Sequence, residues 1–495
     1  MNLAHIIDSH PADAAALVSR GRTTTYGSLR EQVAAARGAF AELGVSKGDV
    51  VVLLCGNSRY FVVAYLAALG LGAVVCPLNP TSPAPELERE IAEVSPVAVV
   101  IEPAAFDAWN GMHASVAGSV RSVIATEGHR LADAATFEEM LRHDPVAIVE
   151  VDESHPAVYM FTSGTAGSPK AAVITHGNLS SNIAQTDSAE RLGPNDVVFG
   201  VLPVHHIFGL NVVIGLTLAV GASVVLVQRF DPVSAMETLV DRGVTVIPGA
   251  PSMWIALAQL DHPSRESFAG VRLALSGASK LPEHTANSLN DRFGLKVREG
   301  YGLTEASPVV TSSVGTEWFP GSVGVPVPGC EVRVVDEDEE DVLVGDTGEI
   351  WVRGPNVFAG YLGDAEATSR VLTADGWLRT GDVGVIDEEG RLFIVDRAKD
   401  LIIVSGFNVF PAEVESAINT HPDVVESTVI GTAHPHTGES VRAYVVLRPG
   451  VHLDEDALID HCRARLARYK CPSKVLYVDS LPRNLVGKVQ RYALR

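Results

Sequence analysis

Short apolar runs alternate with amphipathic stretches along the first half of the chain. Continuous Val-rich runs, such as Val50–Leu54 and residues 97–101, predict strands that are buried on both faces. Apolar residues spaced three or four positions apart, as over residues 29–43 and 232–242, predict helices between these strands. Helices that alternate with fully buried strands cover both faces of a parallel sheet, so the fold class is predicted to be α/β, built from layered subdomains.

The pattern changes twice towards the C-terminus. From about residue 322 to residue 396, short strands and Gly-rich turns predict a β-rich subdomain of the larger N-terminal domain. After the charged segment DRAKD at residues 396–400, strands and helices follow in an α+β order, with a helix predicted over residues 455–468. The sequence therefore predicts a large N-terminal domain over residues 1–396 and a small C-terminal domain over residues 397–495.

Composition and charge exclude several classes of protein. With 46% hydrophobic and 20% charged residues, the chain is expected to fold as a globular enzyme, and its formal net charge of -22 argues against nucleic-acid binding. Five scattered cysteines without zinc-like spacing favour a reducing cytoplasm, and the N-terminus has no signal-peptide pattern. Residues 61–78 are apolar but are interrupted by Gly70, Gly72 and Pro77, which predicts a helix and a core strand rather than a transmembrane segment.

A Ser- and Gly-rich segment, YMFTSGTAGSPK at residues 159–170, follows a predicted buried strand. Its glycines allow backbone N–H groups to approach anionic oxygens, and Thr162, Ser163 and Thr165 offer hydroxyl donors. Lys170 adds a positive charge at the far side of the loop, so the segment predicts a polyphosphate-binding loop. The spacing differs from a Walker A loop. Taken alone, the segment is also compatible with an ordinary surface loop.

Further segments carry side chains suited to a nucleotide. The segment GYGLTE at residues 300–305 predicts a flexible turn with an aromatic face for a base and a hydroxyl and carboxylate for phosphate and magnesium. The segment GWLRTGD ends in Asp382, which can accept two hydrogen bonds from ribose hydroxyls. The segment DRAKD lies at the predicted domain junction, and PRNLVGK places Lys488 near the chain end. Each segment alone also fits a turn, a strand end, a charged hinge or a chain tail.

In this order, the segments resemble the adenylate-forming superfamily of acyl-CoA synthetases, firefly luciferase and peptide synthetase adenylation domains, over nearly the whole chain. The resemblance implies an enzyme that uses ATP, Mg²⁺ and coenzyme A. It implies that the β- and γ-phosphates of ATP bind to Thr162, Ser163, Gly164, Thr165, Gly167 and Lys170. It implies that adenine lies between two segments, Gly277, Ala278 and Ser279 on one side and Gly300, Tyr301 and Gly302 on the other. The loop departs from the family pattern at Ala166 and Ala171, where we expect altered phosphate contacts without loss of function.

The resemblance also assigns roles to single side chains of the N-terminal domain and the junction. Thr304 is implied to contact the α-phosphate, and Glu305, together with Thr165, to bind Mg²⁺. Asp382 is implied to bind the ribose, with Arg397 reaching the ribose or a phosphate from the domain junction. These residues would therefore surround one ATP molecule.

The small domain is implied to be mobile and to serve two steps in turn. Lys488 matches the lysine that bridges the substrate carboxylate and the α-phosphate while the acyl-adenylate forms. Lys399 matches the hinge about which the domain turns, and Gly406 matches a position on the path of the pantetheine arm. A free carboxylate does not react directly with a thiol, because oxide would have to leave from the carbonyl carbon and is too poor a leaving group. The carboxylate therefore has to be activated first.

The segment PVHHIFG at residues 203–209 bears on the identity of the acid. By resemblance, His206 faces the acyl carboxylate, although the pair His205 and His206 is also compatible with packing. The aspartate of relatives that activate amino acids is missing there, and residues 210–216 are mostly apolar. We therefore expect a medium- to long-chain fatty acid, with an aryl acid of the 4-coumarate type, or an acyl-AMP ligase that loads a carrier protein, as alternatives. Oligomeric state and peripheral membrane contact stay open.

Overall fold

The computed structural model describes residues 2–126, 131, 134–162, 170–260, 265–397, 400, 402–404, 407–434, 438–484 and 487–494, without the side chains of residues 397, 407, 408 and 438. The strands in these ranges are β1 Ala15–Ser19, β2 Arg22–Thr25, β3 Val50–Leu54, β4 Val74–Pro77, β5 Ala98–Ile101, β6 Ser122–Ala125, β7 Ala135–Thr136, β8 Pro156–Thr162, β9 Lys170–Thr175, β10 Val197–Gly200, β11 Ser223–Leu226, β12 Val246–Gly249, β13 Leu273–Ser276, β14 Val297–Gly302, β15 Val309–Ser312, β16 Val325–Pro326, β17 Glu331–Val335, β18 Gly348–Arg353, β19 Gly360–Tyr361, β20 Leu378–Ile386, β21 Leu392–Arg397, β22 Ile402–Val404, β23 Phe407–Val409, β24 Val424–His434, β25 Gly438–Leu447 and β26 Lys474–Tyr477.

The helices connect and cover these strands. The α-helices are α1 Tyr26–Glu42, α2 Arg59–Gly70, α3 Ala84–Val94, α4 Phe106–Asn110, α5 Ala114–Ala117, α6 Phe137–Met140, α7 His176–Glu190, α8 Thr217–Ala219, α9 Pro232–Asp241, α10 Pro251–Ala258, α11 Glu283–Phe293, α12 Ala365–Val371, α13 Pro411–Asn419 and α14 Glu455–Arg463. A π-helix covers Phe208–Leu216. Short 3-10 helices cover Leu3–Ile7, Pro103–Ala105, Arg265–Phe268, Thr304–Ala306, Arg468–Lys470 and Arg491–Leu494.

Two large sheets form the body of the N-terminal part. One has the strand order β19-β9-β8-β4-β3-β5-β6-β7, and the other has the order β16-β15-β14-β13-β12-β10-β11-β1-β2. The pairs from β10 to β14 and from β3 to β6 are parallel, as the continuous apolar runs predict. Residues of both sheets share one hydrophobic core with α1, α2, α7 and the π-helix.

Helix α2 shows why the most apolar stretch of the chain is not a membrane span. The Ser58 hydroxyl caps its N-terminus by accepting a hydrogen bond from the Phe61 backbone N–H. Every residue from Phe61 to Gly70 is buried, and β4 follows at once. The predicted helix and core strand are therefore confirmed. Among the described residues, no helix combines the length and the hydrophobicity needed to cross a membrane.

A third, antiparallel sheet has the order β17-β18-β20-β21 and contains the strands predicted in the β-rich region. The acidic residues 336–341 form the exposed connection between β17 and β18. Strand β21 ends at Arg397, the predicted first residue of the small domain. In the ladder between β20 and β21, Asp382 lies directly opposite Arg397.

The C-terminal residues have a sheet and a core of their own. Strands β23-β22-β25-β24, with β26 parallel to β25, pack against α13 and α14. The prediction of a helix over residues 455–468 was too long, because α14 ends at Arg463. The chain turns after this point, so that Leu466 and Tyr469 pack on the core and β26 can begin at Lys474 beside β25.

Candidate active site

A cleft of about 1960 Å³ lies where β13 and β14 end, and residues of both the N-terminal and the C-terminal part line it. The carboxyl ends of parallel strands are the usual position of a ligand site in an α/β sheet. The cleft is bordered by many residues that the sequence singled out, namely Thr162, Lys170, His206, Gly277, Ala278, Ser279, Gly300, Tyr301, Gly302, Thr304, Glu305, Asp382 and Lys488.

Other predicted site residues lie outside the described part of the chain. They are Ser163, Gly164, Thr165 and Gly167 of the phosphate loop, the side chain of Arg397, and the hinge and pantetheine-path residues Lys399 and Gly406. Their roles stay predictions.

The segment of residues 300–305 differs from its prediction as a flexible turn, because Gly300, Tyr301 and Gly302 belong to β14 and pair with β15. A Cβ atom at Gly300 would lie 2.9 Å from the carbonyl oxygen of Thr311, and one at Gly302 would overlap the backbone of Pro308. The glycines therefore permit close approach of two chain segments, and the site is more rigid than a turn would be.

Two side chains predicted to bind different parts of a nucleoside are joined directly. The Tyr301 hydroxyl donates a hydrogen bond of 2.7 Å to Oδ2 of Asp382, which is 7% exposed. Residue Ala278 has a φ of +70°, and a Cβ at Gly277 would lie 2.8 Å from the ring of Phe208. The arrangement offers a narrow slot beside Gly277 and an aromatic ring, which suit a base. It also offers a carboxylate, which suits a ribose.

The residues predicted to contact phosphate and magnesium follow β14 directly. Thr304 and Glu305 lie in a 3-10 helix. The Tyr361 hydroxyl donates a 2.8 Å hydrogen bond to Oε1 of Glu305, and burial, together with Glu305, raises the pKa of Tyr361. Within the described ranges, no group of three or more His, Cys, Asp or Glu residues could hold a metal by itself. A Mg²⁺ ion at Glu305 would therefore need oxygen ligands from the nucleotide, as is usual for Mg²⁺.

Lys170, at the end of the predicted phosphate loop, forms an ion pair with Asp364. Its Nζ lies 2.5 Å from Oδ2 of Asp364 and 5.7 Å from the centre of the Tyr361 ring. The ion pair is exposed to solvent, with 32% and 39% of the two side chains accessible. Asp364 was not predicted as a site residue; it follows β19, Gly360–Tyr361, by three positions.

His206 and Lys488 meet in the cleft although they are far apart in sequence. Burial, and to a smaller extent the positive charge of Lys488, lower the pKa of His206 to about 4, so the ring is neutral at pH 7. Nδ1 of His206 accepts a hydrogen bond from the Phe208 backbone N–H at 3.2 Å. The His205 ring borders the same cleft, and burial lowers its pKa to about 4 as well.

The apolar residues after His206, from which an apolar acid was expected, do not all border the cleft. Val212 borders the cleft together with Ile207 and Phe208. The residues that instead pack in the core between the sheets are Leu210, Val213, Ile214 and Leu216. They lie on a π-helix that packs against α7, and only one side of this helix faces the cleft.

The chain end that carries Lys488 is anchored by Arg491, a residue that the sequence analysis did not assign to the site. Its guanidinium lies 2.9 Å from Asp396 and 2.8 Å from Glu415. Burial would lower the pKa of Arg491, but Glu415 and Asp396 raise it. Its position three residues after Lys488, combined with the acidic residues of the domain junction, is the signal that could have identified it.

Comparison with known proteins places the chain in a family. The model of the AMP-binding enzyme family matches residues 3–362, and that of the AMP-binding enzyme C-terminal domain matches residues 413–488. The chain is 34% identical to a long-chain-fatty-acid–CoA ligase of Yersinia pestis, over 98% of this chain and 92% of that protein. It is 33% identical to 4-coumarate–CoA ligase 5 of Oryza sativa subsp. japonica, over 98% and 91% of the two chains.

Solved structures give the same result. The ATP-bound structure of MatB from Rhodopseudomonas palustris is 34% identical and superimposes with a TM-score of 0.93, over 100% of this chain and 98% of that chain. The apo structure of the same protein gives a TM-score of 0.82. The predicted fold class and the predicted acyl-CoA synthetase resemblance are confirmed, and the predicted cofactors ATP, Mg²⁺ and coenzyme A agree with them. The chain belongs to the AMP-binding enzyme family, in the branch that contains the CoA ligases.

Proposed function

We propose that this protein activates a carboxylic acid with ATP and then transfers the acyl group to coenzyme A. The observation that carries the proposal is the meeting of Lys488 and His206 in the same cleft as the hydrogen-bonded pair Tyr301 and Asp382. One end of the cleft thus offers a site for a nucleoside, and a cation stands beside the apolar wall that would hold an acid.

In the first step, a carboxylate oxygen of the acid attacks the α-phosphorus of ATP, and the bond to pyrophosphate breaks. Both reactants are anions, so their repulsion opposes the reaction. The ammonium group of Lys488 offsets this repulsion, and Thr304 donates a hydrogen bond to the α-phosphate. Mg²⁺ bound at Glu305 would neutralise phosphate charge. His206 is neutral at pH 7 and its Nδ1 accepts a hydrogen bond, so its Nε2–H can donate to the carboxylate and orient it. No base is needed because the acid is already ionised.

In the second step, the thiol of coenzyme A attacks the acyl carbonyl carbon, and AMP leaves. A lysine held between the carboxylate and the α-phosphate would block the approach of this nucleophile, so Lys488 is proposed to withdraw first. A turn of the small domain about Lys399 provides this movement, and Gly406 then lies on the path of the pantetheine arm. In this scheme a single cleft serves both steps.

The acid is proposed to be a medium- to long-chain fatty acid, with an aryl acid of the 4-coumarate type as the alternative. The wall beside His206 supports an apolar acyl group, because Ile207, Phe208, Val212 and Leu275 all border the cleft there. The names of the relatives include both classes of acid. A carrier-protein thiol in place of coenzyme A is the remaining alternative for the acceptor.

A comparison of Lys488→Ala with Lys474→Ala tests the proposal. Lys474 lies in the same small domain and forms an exposed ion pair with Glu455, so it is a matched control. The Lys488 variant should lose about 10²- to 10³-fold in acid-dependent pyrophosphate release, as is typical for loss of one charge-stabilising donor. It should still form thioester from pre-formed acyl-adenylate and coenzyme A. Undiminished pyrophosphate release in this variant would contradict the proposed role of Lys488.

A substrate panel identifies the acid and the acceptor. Acids from C4 to C18, together with cinnamates, should be compared by pyrophosphate release, and the best of them by thioester yield with coenzyme A or with a holo carrier protein. We expect coenzyme A to give the higher yield. A higher yield with the carrier protein would assign the chain to the acyl-AMP ligase alternative.

A further inference from the structure

A buried carboxyl group without a partner borders the cleft at the end of α7. Glu190 is the last residue of this helix and is 7% exposed. It lies on the same helix face as Asn182 and Thr186, which are eight and four positions earlier and are 0% and 1% exposed. This face packs towards the interior, so the Glu190 side chain points away from bulk solvent and into the cleft wall.

The polar neighbours on this helix face have hydrogen-bond partners, whereas Glu190 does not. Asn182 donates to the carbonyl oxygen of Val309 at 2.8 Å, and the Thr186 hydroxyl donates to the Asn182 carbonyl at 2.7 Å. Among the described residues, Oε2 of Glu190 has no hydrogen-bond partner. A buried polar atom without a partner is costly and uncommon, so this one calls for a ligand.

The charges of Arg272 and Asp187 have opposite effects on the pKa of Glu190. The pKa of Glu190 is raised to about 8, mainly by burial; Arg272 opposes this rise and Asp187 adds to it. Arg272 is engaged elsewhere, because its Nε donates a 2.7 Å hydrogen bond to Asp196. At neutral pH Glu190 is therefore mostly a neutral carboxyl group, which can both donate and accept a hydrogen bond. A neutral polar group of a ligand can pair with such a carboxyl group without bringing a further charge into a buried position.

Apolar side chains line the cleft together with further polar ones. Val212 and Leu275 are almost completely buried and border the cleft. Ser276 and His205 also border it, and the buried Ser276 hydroxyl and both buried ring nitrogens of His205 have no hydrogen-bond partner among the described residues. A plain hydrocarbon chain would leave all these polar atoms unpaired.

We propose that the acid substrate has an apolar body with a neutral oxygen group, a hydroxyl or an oxo group, at the end away from the reacting carboxylate, and that Glu190 recognises this oxygen. The inference rests on the proposed function, and it narrows the substrate class from fatty or aryl acids in general to those that carry a distal oxygen. Glu190 acts as a specificity-determining residue and takes no part in the chemical steps.

The test compares acids that differ only in the distal oxygen. Suitable pairs are octanoate with 8-hydroxyoctanoate and with 7-oxooctanoate, longer homologues of the same pairs, and cinnamate with 4-hydroxycinnamate. The wild-type protein should prefer the oxygenated member of the best-fitting pair by roughly 10- to 100-fold in kcat/KM, the effect of leaving one buried polar group unpaired. Glu190→Gln should retain this preference, because an amide also donates and accepts.

Glu190→Leu should abolish the preference and raise kcat/KM for the plain acid. Ser188→Ala, at an exposed position of the same helix outside the cleft wall, should leave the preference as in the wild type. A wild-type protein that prefers the plain acid in every pair would overturn the inference, and so would an unchanged preference in Glu190→Leu. The wild-type comparison is decisive even if Glu190→Leu does not fold. If no acid gives acid-dependent pyrophosphate release, the proposed function itself is wrong, which is a distinguishable result.

Discussion

Replacing Gly487 with alanine should block formation of the acyl-adenylate and spare the thioester step. Gly487 directly precedes Lys488 and has a φ of +77°. An added methyl group would overlap the side chain of Ser252 in α10 and lie 3.6 Å from Cβ of Ala250. Because Ser252 belongs to the N-terminal part and Gly487 to the C-terminal part, relief of this overlap would move Lys488 away from His206.

The expected size of the effect follows from two separate costs. A residue other than glycine in the left-handed region costs about 1–2 kcal/mol of stability. A displacement of about 1 Å at a positioning group lowers a reaction rate by about 10²-fold, or about 2.7 kcal/mol of activation free energy. The variant Gly450→Ala isolates the stability cost and serves as the control. Gly450 has a φ of +78° in the same domain, and no atom lies within 4 Å of an added Cβ.

The assay measures the two steps independently. Pyrophosphate release reports adenylate formation, and thioester formation from pre-formed acyl-adenylate reports the second step. Gly487→Ala should lose about 10²-fold in the first step only, whereas Gly450→Ala should lose stability and keep both rates. Combining Gly487→Ala with Ser252→Gly should restore part of the lost rate. Equal losses in both glycine variants, or in both steps, would refute the reasoning.

Arg491→Ala should destabilise the protein by about 3–5 kcal/mol, because it leaves the largely buried Glu415 without its ion pair; a loss below about 1 kcal/mol in chemical denaturation would contradict this. Asp364→Asn should change stability by less than about 1 kcal/mol, since its ion pair with Lys170 is exposed. Asp364→Asn should also lower the KM for ATP, because Lys170 would no longer have to break its ion pair with Asp364 before it contacts a phosphate. An unchanged KM would contradict this prediction. Burial lowers the pKa of His176 from 6.5 to about 3, so its neutral ring stabilises the fold above pH 6.5, and this contribution is lost as the pH falls. Relative to His176→Gln, the wild type should lose about 2 kcal/mol between pH 7 and pH 5 in denaturation curves, and parallel curves would exclude this role.

The sequence predicts the buried strands closely because burial on both faces requires a continuous apolar run. The predicted strand Val50–Leu54 has the same bounds in the structure. Helix ends are less predictable from apolar spacing. Helix α1 begins at Tyr26, three residues before the first position predicted, because the Thr25 hydroxyl caps it by accepting a hydrogen bond from the Ser28 backbone N–H. The first turn of a helix depends on such a cap rather than on an apolar stripe.

Features that depend on distant parts of the chain were not predictable. Nothing near Gly300 in sequence indicates that β15 pairs with it, so its glycines were interpreted as a turn. The ion pair of Lys170 joins residues 194 positions apart. Glu190 looks like an exposed helix end in the sequence, and only the tertiary packing of α7 buries it. Local propensity carries no information about such contacts.

Motifs that specify the chemistry of a ligand identified residues that border one cleft, and the roles of these residues stay predictions. His206, Tyr301, Asp382 and Lys488 come from four separate segments and border one cleft. Their convergence could be expected only from the family resemblance, because spacing along the chain does not determine distances between segments. The roles of the phosphate-loop hydroxyls and of Lys399 remain predictions.

The pairing of β20 with β21 has a consequence for the fate of the reaction intermediate. Asp382 lies opposite Arg397, and β21 ends there, so the proposed ribose carboxylate and the departure point of the small domain belong to the same antiparallel sheet. Rotation beyond this point leaves Asp382 in place. In the proposed cycle the acyl-adenylate thus stays anchored by its sugar while Lys488 is exchanged for the thiol, which protects a hydrolysis-prone anhydride from escaping into water.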